Sequence, residues 1–338
     1  MFDPKVHVRY FLRCLGILPS IYEGEDSNKL ALIYFCVCGL DLLGALDQLS
    51  GKAATIEWVY KHWVAIDDYG GFRGSDIYRD TGPYDVPNLA ATGFALQILV
   101  TLGDDLSQVD KNKVRRFVER CQRPNGSFSP VVGFGEEDLR YCMLAMTISR
   151  LLNGSAVDSS RLLQYVRSTL AFDGGLSMSA GGESHAGLTY CGLAALKLAG
   201  KLDVCEWQPT LDFLVHRQIH YGEFNKGELE NEYADEDDNG AFNGRVNKYG
   251  DTCYAFWCLA SLELLNKTEL VDGEAVKRFL LEQTLSPTMG GFCKTNAPDE
   301  LPDPLHSFLG IAALGIIGTP GIAPVDVTVV LRKDRVVV

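Results

Sequence analysis

The sequence predicts an all-α protein, an α/α barrel (toroid) of about six helix pairs. Three observations lead there. A glycine signal recurs as YGGFRGS at 69–75, PNGSFSP at 124–130, DGGLSMS at 173–179, NGAFNGR at 239–245 and MGGFCKT at 289–295. Self-similarity at steps of roughly fifty residues or more marks a repeat architecture. Apolar helical stretches follow the glycine turns, and amphipathic ones precede most of them.

The material at 7–48 reads as an opening helical hairpin. The stretches after the turns are 88–102, 138–152, 185–199, 251–265 and 306–318, rich in Ala, Leu and Cys. Helices that are apolar on nearly every face are covered all round. The stretches at 111–122, 159–171, 208–219 and 272–284 carry one apolar stripe and a charged remainder, as an outer layer requires. Six inner helices can close as a ring inside six outer ones. Closure is favoured over an open solenoid because the terminal repeats are no more polar than the central ones, and open arrays need polar caps. Strand-like sequence is scarce; PVDVTVVLRK at 324–333 is the main case and reads as a tail. The whole span 1–338 reads as a single α/α-barrel domain, with an acidic surface loop at 223–238.

Composition narrows the function. Of 338 residues, 46% are hydrophobic and 22% charged, which is a folded, soluble balance. A net charge of −13 disfavours nucleic acid as a partner. The start lacks the apolar core of a secretory signal, and no apolar run is long enough to form a transmembrane segment. The end, LRKDRVVV, has no cysteine for lipidation. Ten scattered cysteines, many inside apolar runs, read as free thiols in a reducing compartment, with cytoplasm as the default.

The segment RVNKYGDTCYAFW at 245–257 concentrates chemistry. The repeat places Asp138, His185, Asp251 and His306 at the starts of successive inner helices, hence at one rim of the ring. Asp251, Cys253 and His306 would then converge as three zinc ligands with a fourth position open. The helix N-terminus should favour a thiolate at Cys253. Taken alone, an Asp at a helix start usually caps it and a buried Cys usually packs, so the repeat register carries this reading. Arg245 and Lys248 on the loop, with His185 and Tyr254, suggest an anion cradle. Tyr141, Tyr190, Phe256 and Trp257 could wall an apolar interior behind it. A diphosphate head with a hydrocarbon tail suits both halves.

With these motifs in view, the chain resembles protein prenyltransferase beta subunits. The resemblance rests on 245–257, on GGESHAGLTYCGLAAL at 181–196, and on GGFCK followed by PDPLHSFLGIAAL at 302–314. It extends over nearly the whole chain. Within the family, HVRYFLRCLGILPSIY at 7–22, YFCVCGLDLLGALD at 34–47 and FGEEDLRYCMLA at 134–145 are similar to type I geranylgeranyltransferases. The resemblance implies zinc on Asp251, Cys253 and His306, and diphosphate contacts from His185, Arg245, Lys248 and Tyr254. It also implies an all-helical alpha subunit that completes the site in a heterodimer. Lys294 stands where farnesyl enzymes carry a magnesium-binding aspartate, which implies that magnesium is not required. The stretch from Lys294 to His306 is longer than the family pattern, which loosens that correspondence. Ala31 stands where farnesyl enzymes have a bulky tryptophan, leaving room for a fourth isoprene unit.

The implied reaction is transfer of a geranylgeranyl group from geranylgeranyl diphosphate to the cysteine of C-terminal CaaX tails, preferably CaaL, on small GTPases and similar proteins. The alternatives are a farnesyltransferase or Rab geranylgeranyltransferase beta subunit, or a non-catalytic α/α-barrel binding module. A terpene cyclase would carry a DxDD-like cluster on an inner helix, and none is seen.

Overall fold

The computed structural model describes residues 2–154, 157–220 and 236–336. Inner and outer helices alternate along the chain. α1 (Pro4–Gly16) is outer and α2 (Lys29–Leu42) inner, followed by α3 (Lys52–Tyr60) and α4 (Leu89–Thr101). The next pairs are α5 (Lys111–Cys121) with α6 (Leu139–Leu151), and α7 (Ser159–Ser168) with α8 (Ala186–Leu198). The last are α9 (Gln208–Val215) with α10 (Thr252–Leu264), and α11 (Gly273–Arg278) with α12 (Pro304–Ile316). α11 runs on into a π-helical turn over Phe279–Thr284.

The ring closes. Each inner helix packs on the next, from α2 through α4, α6, α8 and α10 to α12, and α12 packs back on α2. The glycine turns explain how the layers lock. Gly126, Gly174 and Gly240 adopt φ of 93°, 91° and 92°, and a Cβ at each would collide with the backbone carbonyl of Arg161, Pro209 or Ala275 on the next outer helix. Only glycine allows both the left-handed turn and that approach. Gly290 makes the same approach to Val6 in α1, so the fifth turn locks onto the first outer helix.

The starts of five inner helices share one end of the ring. Asn88, Asp138, His185, Asp251 and Asp303 each cap one with a side chain that accepts backbone N–H groups. His306, expected at a helix start, instead lies inside the first turn of α12, and Asp303 is the cap. The shift comes from Pro304, which is favoured in the first turn of a helix and lets it begin earlier.

Two further features depart from the expectation. The first glycine turn belongs to an antiparallel hairpin of β1 (Trp63–Ile66) and β2 (Tyr69–Phe72). The segment from 324 is no loose tail. β3 (Val325–Asp326) and β4 (Leu331–Arg332) pair, and Val329 and Leu331 between and within them are fully buried. The strand-like stretch forms two short strands, and its apolar residues turn inward across the far end of the ring.

Most of the acidic loop expected at 223–238 lies outside the described residues. At its end, Asp238 is buried and accepts the Gly250 N–H at 3.1 Å, so this acid braces the start of the α10 segment. Among the described residues no helix is long and apolar enough to cross a membrane.

Candidate active site

Three potential ligand atoms meet where α10 and α12 begin. One atom each from Asp251, Cys253 and His306 lie within 4.8 Å of one another. Asp251 caps α10, its Oδ1 accepting the Cys253 N–H at 2.8 Å, which fixes the carboxylate beside the thiol. His306 Nε2 stands 3.4 Å from Asp251 Oδ1. Two ligand atoms on a tetrahedral zinc, each roughly 2.0–2.1 Å from the metal, are about 3.3 Å apart. The Asp251–His306 pair therefore fits zinc in spacing, and the carboxylate, thiol and imidazole fit it in donor type.

Asp303 was not anticipated from sequence. Its Oδ2 accepts His306 Nδ1 at 2.5 Å, leaving Nε2 turned toward Asp251. A carboxylate behind a ligand imidazole sets its tautomer and raises its basicity. Burial works to keep the His306 ring neutral, but the bonds to Asp251, Asp303 and Cys253 outweigh it and hold its pKa up at about 12. Burial also opposes charge on Asp251, but the bonds from His306 and Cys253 hold its carboxyl below the usual range.

The expected thiolate at Cys253 is corrected by this setting. Burial, aided by the neighbouring Asp251 charge, pushes the thiol up to about 12 despite the hydrogen bond from His306. The dipole of one helix end is too small to overcome both. The protonated His306 ring pulls the thiol down but does not offset its burial, so a thiolate there needs a stronger positive charge than the imidazolium.

The anion side of the site is built on α8 and the loop before α10. His185 Nδ1 accepts the N–H groups of Gly187 and Leu188, so Nε2 carries the proton and donates to Tyr254 Oη at 2.9 Å. Burial, reinforced by Arg245, lowers the His185 pKa and keeps the ring neutral. The Tyr254 hydroxyl proton is then free for a ligand oxygen. Gly244 makes room for this pair, since a Cβ there would overlap the Tyr254 ring. Arg245 Nη1 pairs with Glu183 at 2.9 Å, a partner the sequence did not suggest. Lys248 is exposed on the same loop. Lys294 is exposed as well, and its carbonyl accepts the Thr252 N–H at 2.8 Å, which fixes its backbone against the start of α10.

An apolar cavity of about 660 Å³ opens beside these groups. His185, Asp303, Arg140 and Trp257 stand on its wall, with Ala31 and Tyr141. Deeper, Tyr34, Phe35, Phe94 and Phe308 form its aromatic lining. A second cleft of about 350 Å³ shares Asn28, Ala31, Ala90 and Phe94 with it. Two expected wall residues lie elsewhere. Tyr190 and Phe256 are fully buried behind Trp257, whose ring is 5.0 Å from each of theirs, and Tyr190 Oη donates to the Val327 carbonyl. Neither side chain reaches the cavity surface, because both point into the seam between α8 and α10.

Arg140, also missed from sequence, stands on the cavity wall. It bonds Asp138 at 2.6 Å and Glu136 at 3.1 Å, and lies over the Tyr141 ring.

Residues 2–331 match the prenyltransferase alpha-alpha toroid domain. The chain belongs to that family. A geranylgeranyl transferase type-1 subunit beta of Arabidopsis thaliana is 32% identical, covering 96% of this chain and 87% of that protein. The subunit of the same description from Dictyostelium discoideum is 33% identical over 94% of this chain and 91% of its own. A protein farnesyltransferase subunit beta of Arabidopsis thaliana is 31% identical, but over 76% of this chain and 48% of its own. Among solved structures, Candida albicans protein geranylgeranyltransferase-I complexed with GGPP superposes with a TM-score of 0.92 at 32% identity, covering 99% of this chain and 97% of that one. The α/α toroid expected from the glycine repeat is thus the fold of the family.

Proposed function

We propose that this chain is the catalytic beta subunit of a type I protein geranylgeranyltransferase. It would transfer the geranylgeranyl group of geranylgeranyl diphosphate to the cysteine of a C-terminal CaaX tail, CaaL preferred. One observation carries the reading: a deep apolar cavity has a candidate zinc triad and an anion cradle at the same mouth. The type-1 relatives and the GGPP-bound neighbour support the choice within the family.

Asp251, Cys253 and His306 would hold zinc, and Asp303 would orient His306. Zinc bound there would lower the pKa of an acceptor thiol and hold it as thiolate at neutral pH. The cavity shelters the prenyl chain, while the Tyr254 hydroxyl, oriented by His185, donates to the departing diphosphate. Arg245 and Lys248 add positive charge to that side. Donors fixed where charge develops lower the barrier most. The acceptor sulfur attacks the first prenyl carbon, the carbon–oxygen bond breaks, and the diphosphate leaves with the bonding electrons. Lys294, its backbone fixed against the start of α10, would carry electrostatic load otherwise given to magnesium.

Exposed apolar side chains near the mouth, among them Tyr84, Phe134 and Val246, support a covering partner, which we take to be an all-helical alpha subunit. All ten cysteines are free, which supports work in a reducing compartment such as the cytoplasm.

The test is zinc content and turnover of the co-expressed alpha–beta pair. Geranylgeranyl and farnesyl diphosphates are compared on peptides ending in Leu or Met, with magnesium chelated. Stoichiometric zinc and fast geranylgeranylation of the Leu peptide are expected. Activity only on farnesyl diphosphate with magnesium would overturn the type I assignment. Absence of both zinc and transfer would return the chain to a binding module.

A further inference from the structure

The cavity has a floor that no inner helix supplies. Val329 and Val330, from the strap that crosses the far end of the ring, line it. The strap is held by side chains reaching from three inner helices. Tyr34 Oη of α2 donates to the Val330 carbonyl at 3.1 Å, Gln97 Nε2 of α4 to that of Val329 at 2.7 Å, and Tyr190 Oη of α8 to that of Val327 at 2.7 Å. All three donors are buried. Val330 has φ 50°, a strained left-handed conformation for a β-branched residue. Such strain persists only where the surroundings over-determine the backbone. Beyond it, Arg335 grips the buried Asp41 at the end of α2 through bonds of 2.7 and 3.0 Å. The segment is clamped before and after the point where it meets the cavity.

α2 gives the depth scale. It starts at the mouth, and Ala31 and Tyr34 share its cavity face, about 4.5 Å apart along the axis. Tyr34 reaches the strap directly, so the floor lies close below the level of Ala31.

We propose that Val329 and Val330 are chain-length determinants that meet the distal end of the prenyl group and set the longest chain accepted. This rests on reading the cavity as the prenyl pocket. The floor acts by excluding carbon beyond a fixed depth, and should change binding of the prenyl diphosphate with little effect on the chemical step.

The experiment uses the heterodimer with farnesyl, geranylgeranyl and geranylfarnesyl diphosphates. KM and kcat for transfer to one peptide are measured alongside direct binding of each diphosphate without peptide. Lowering the floor with Val329→Ala and Val330→Gly should improve geranylfarnesyl relative to geranylgeranyl by about tenfold or more, the scale on which pockets sense methylenes. Raising it stepwise with Val329→Leu, Val329→Met and Val329→Phe should progressively weaken geranylgeranyl binding. Farnesyl should hold, and the change should fall in KM. The graded series gives a result even if the largest substitution does not fold. Chain-length ratios within about twofold of the unaltered enzyme in both directions would overturn the proposal. Failure of the prenyl reading looks different: the unaltered heterodimer would then bind none of the three diphosphates, and the proposal would fall with it.

Discussion

Ala31→Trp should turn a preference for the twenty-carbon chain into one for the fifteen-carbon chain. Ala31 lies on the wall of the cavity, where α2 faces Ala90 and Phe94 of α4. Below it, Tyr34 stacks on Phe94 at 5.0 Å and meets Phe308 edge-on at 5.2 Å. An indole at position 31 would rest on this aromatic shelf and fill the space above it. The fourth isoprene unit would then lose its apolar surroundings. Its five carbons, buried at about 0.8 kcal/mol each, bring a ceiling of ~4 kcal/mol, or roughly a thousandfold in affinity. Because the new ring can itself be packed against, a loss of about a hundredfold for geranylgeranyl diphosphate is the working expectation. Farnesyl diphosphate ends short of the indole and should change by no more than about threefold. The assay is competition of the two diphosphates for one peptide, with products resolved by mass. A folded variant, judged by an unchanged melting temperature, that keeps its original product ratio would refute the steric reasoning.

Other predictions concern the metal, the lysine and stability. His306→Ala should abolish stoichiometric zinc and nearly all turnover, whereas Asp303→Asn should keep the fold and weaken zinc by about 10–100-fold, the usual cost of losing an orienting carboxylate; metal content and a chelator titration read both. Lys294→Asp should create a requirement for magnesium, seen as turnover that rises with added magnesium where the unaltered enzyme is flat. His7 is fully buried between Phe2 and Phe292 and has no hydrogen-bond partner among the described residues. Burial lowers its pKa to about 4, against a weaker upward pull from Asp3. The unfolded chain therefore binds the proton first. This contribution to stability is complete above pH ~6.5 and drains away as pH falls toward about 4, by at most ~3 kcal/mol. His7→Phe should flatten that part of the melting-temperature profile, and an unaltered slope would count against the assignment.

What the sequence made legible follows from the physics of each residue. Asp138, His185 and Asp251 were found because a capping side chain must stand at a fixed offset before its helix. His306 was placed slightly wrong because Pro304 lets α12 begin earlier. The inward faces of the inner helices were not legible. A helix buried on all sides has no amphipathic period, so Tyr190 and Phe256 could not be told from Trp257. Glu183, Arg140 and Asp303 were missed for another reason. Nothing in a linear pattern says that Glu183 reaches Arg245, 62 residues away, or that Arg140 lines a cavity. The strap at 324–336 forms short strands, as its alternation of apolar residues suggests, but it reads as a tail because its depth is set by Tyr34, Gln97 and Tyr190 far earlier in the chain.

The closing of the ring has a consequence for how this chain must be made. Its seam joins segments almost the whole sequence apart: Tyr10 bonds the carbonyl of Pro302 across 292 residues, and Tyr34 that of Val330 across 296. Contacts of such separation form late, because the loop they close must be ordered first. During synthesis α2 leaves the ribosome with one flank uncovered until α12 arrives to meet it. That flank is apolar, for α2 is buried over most of its length in the closed ring. A nascent chain in that state is exposed to aggregation in proportion to the time it waits. Chaperone demand during translation should therefore track the interval between synthesis of α2 and synthesis of α12.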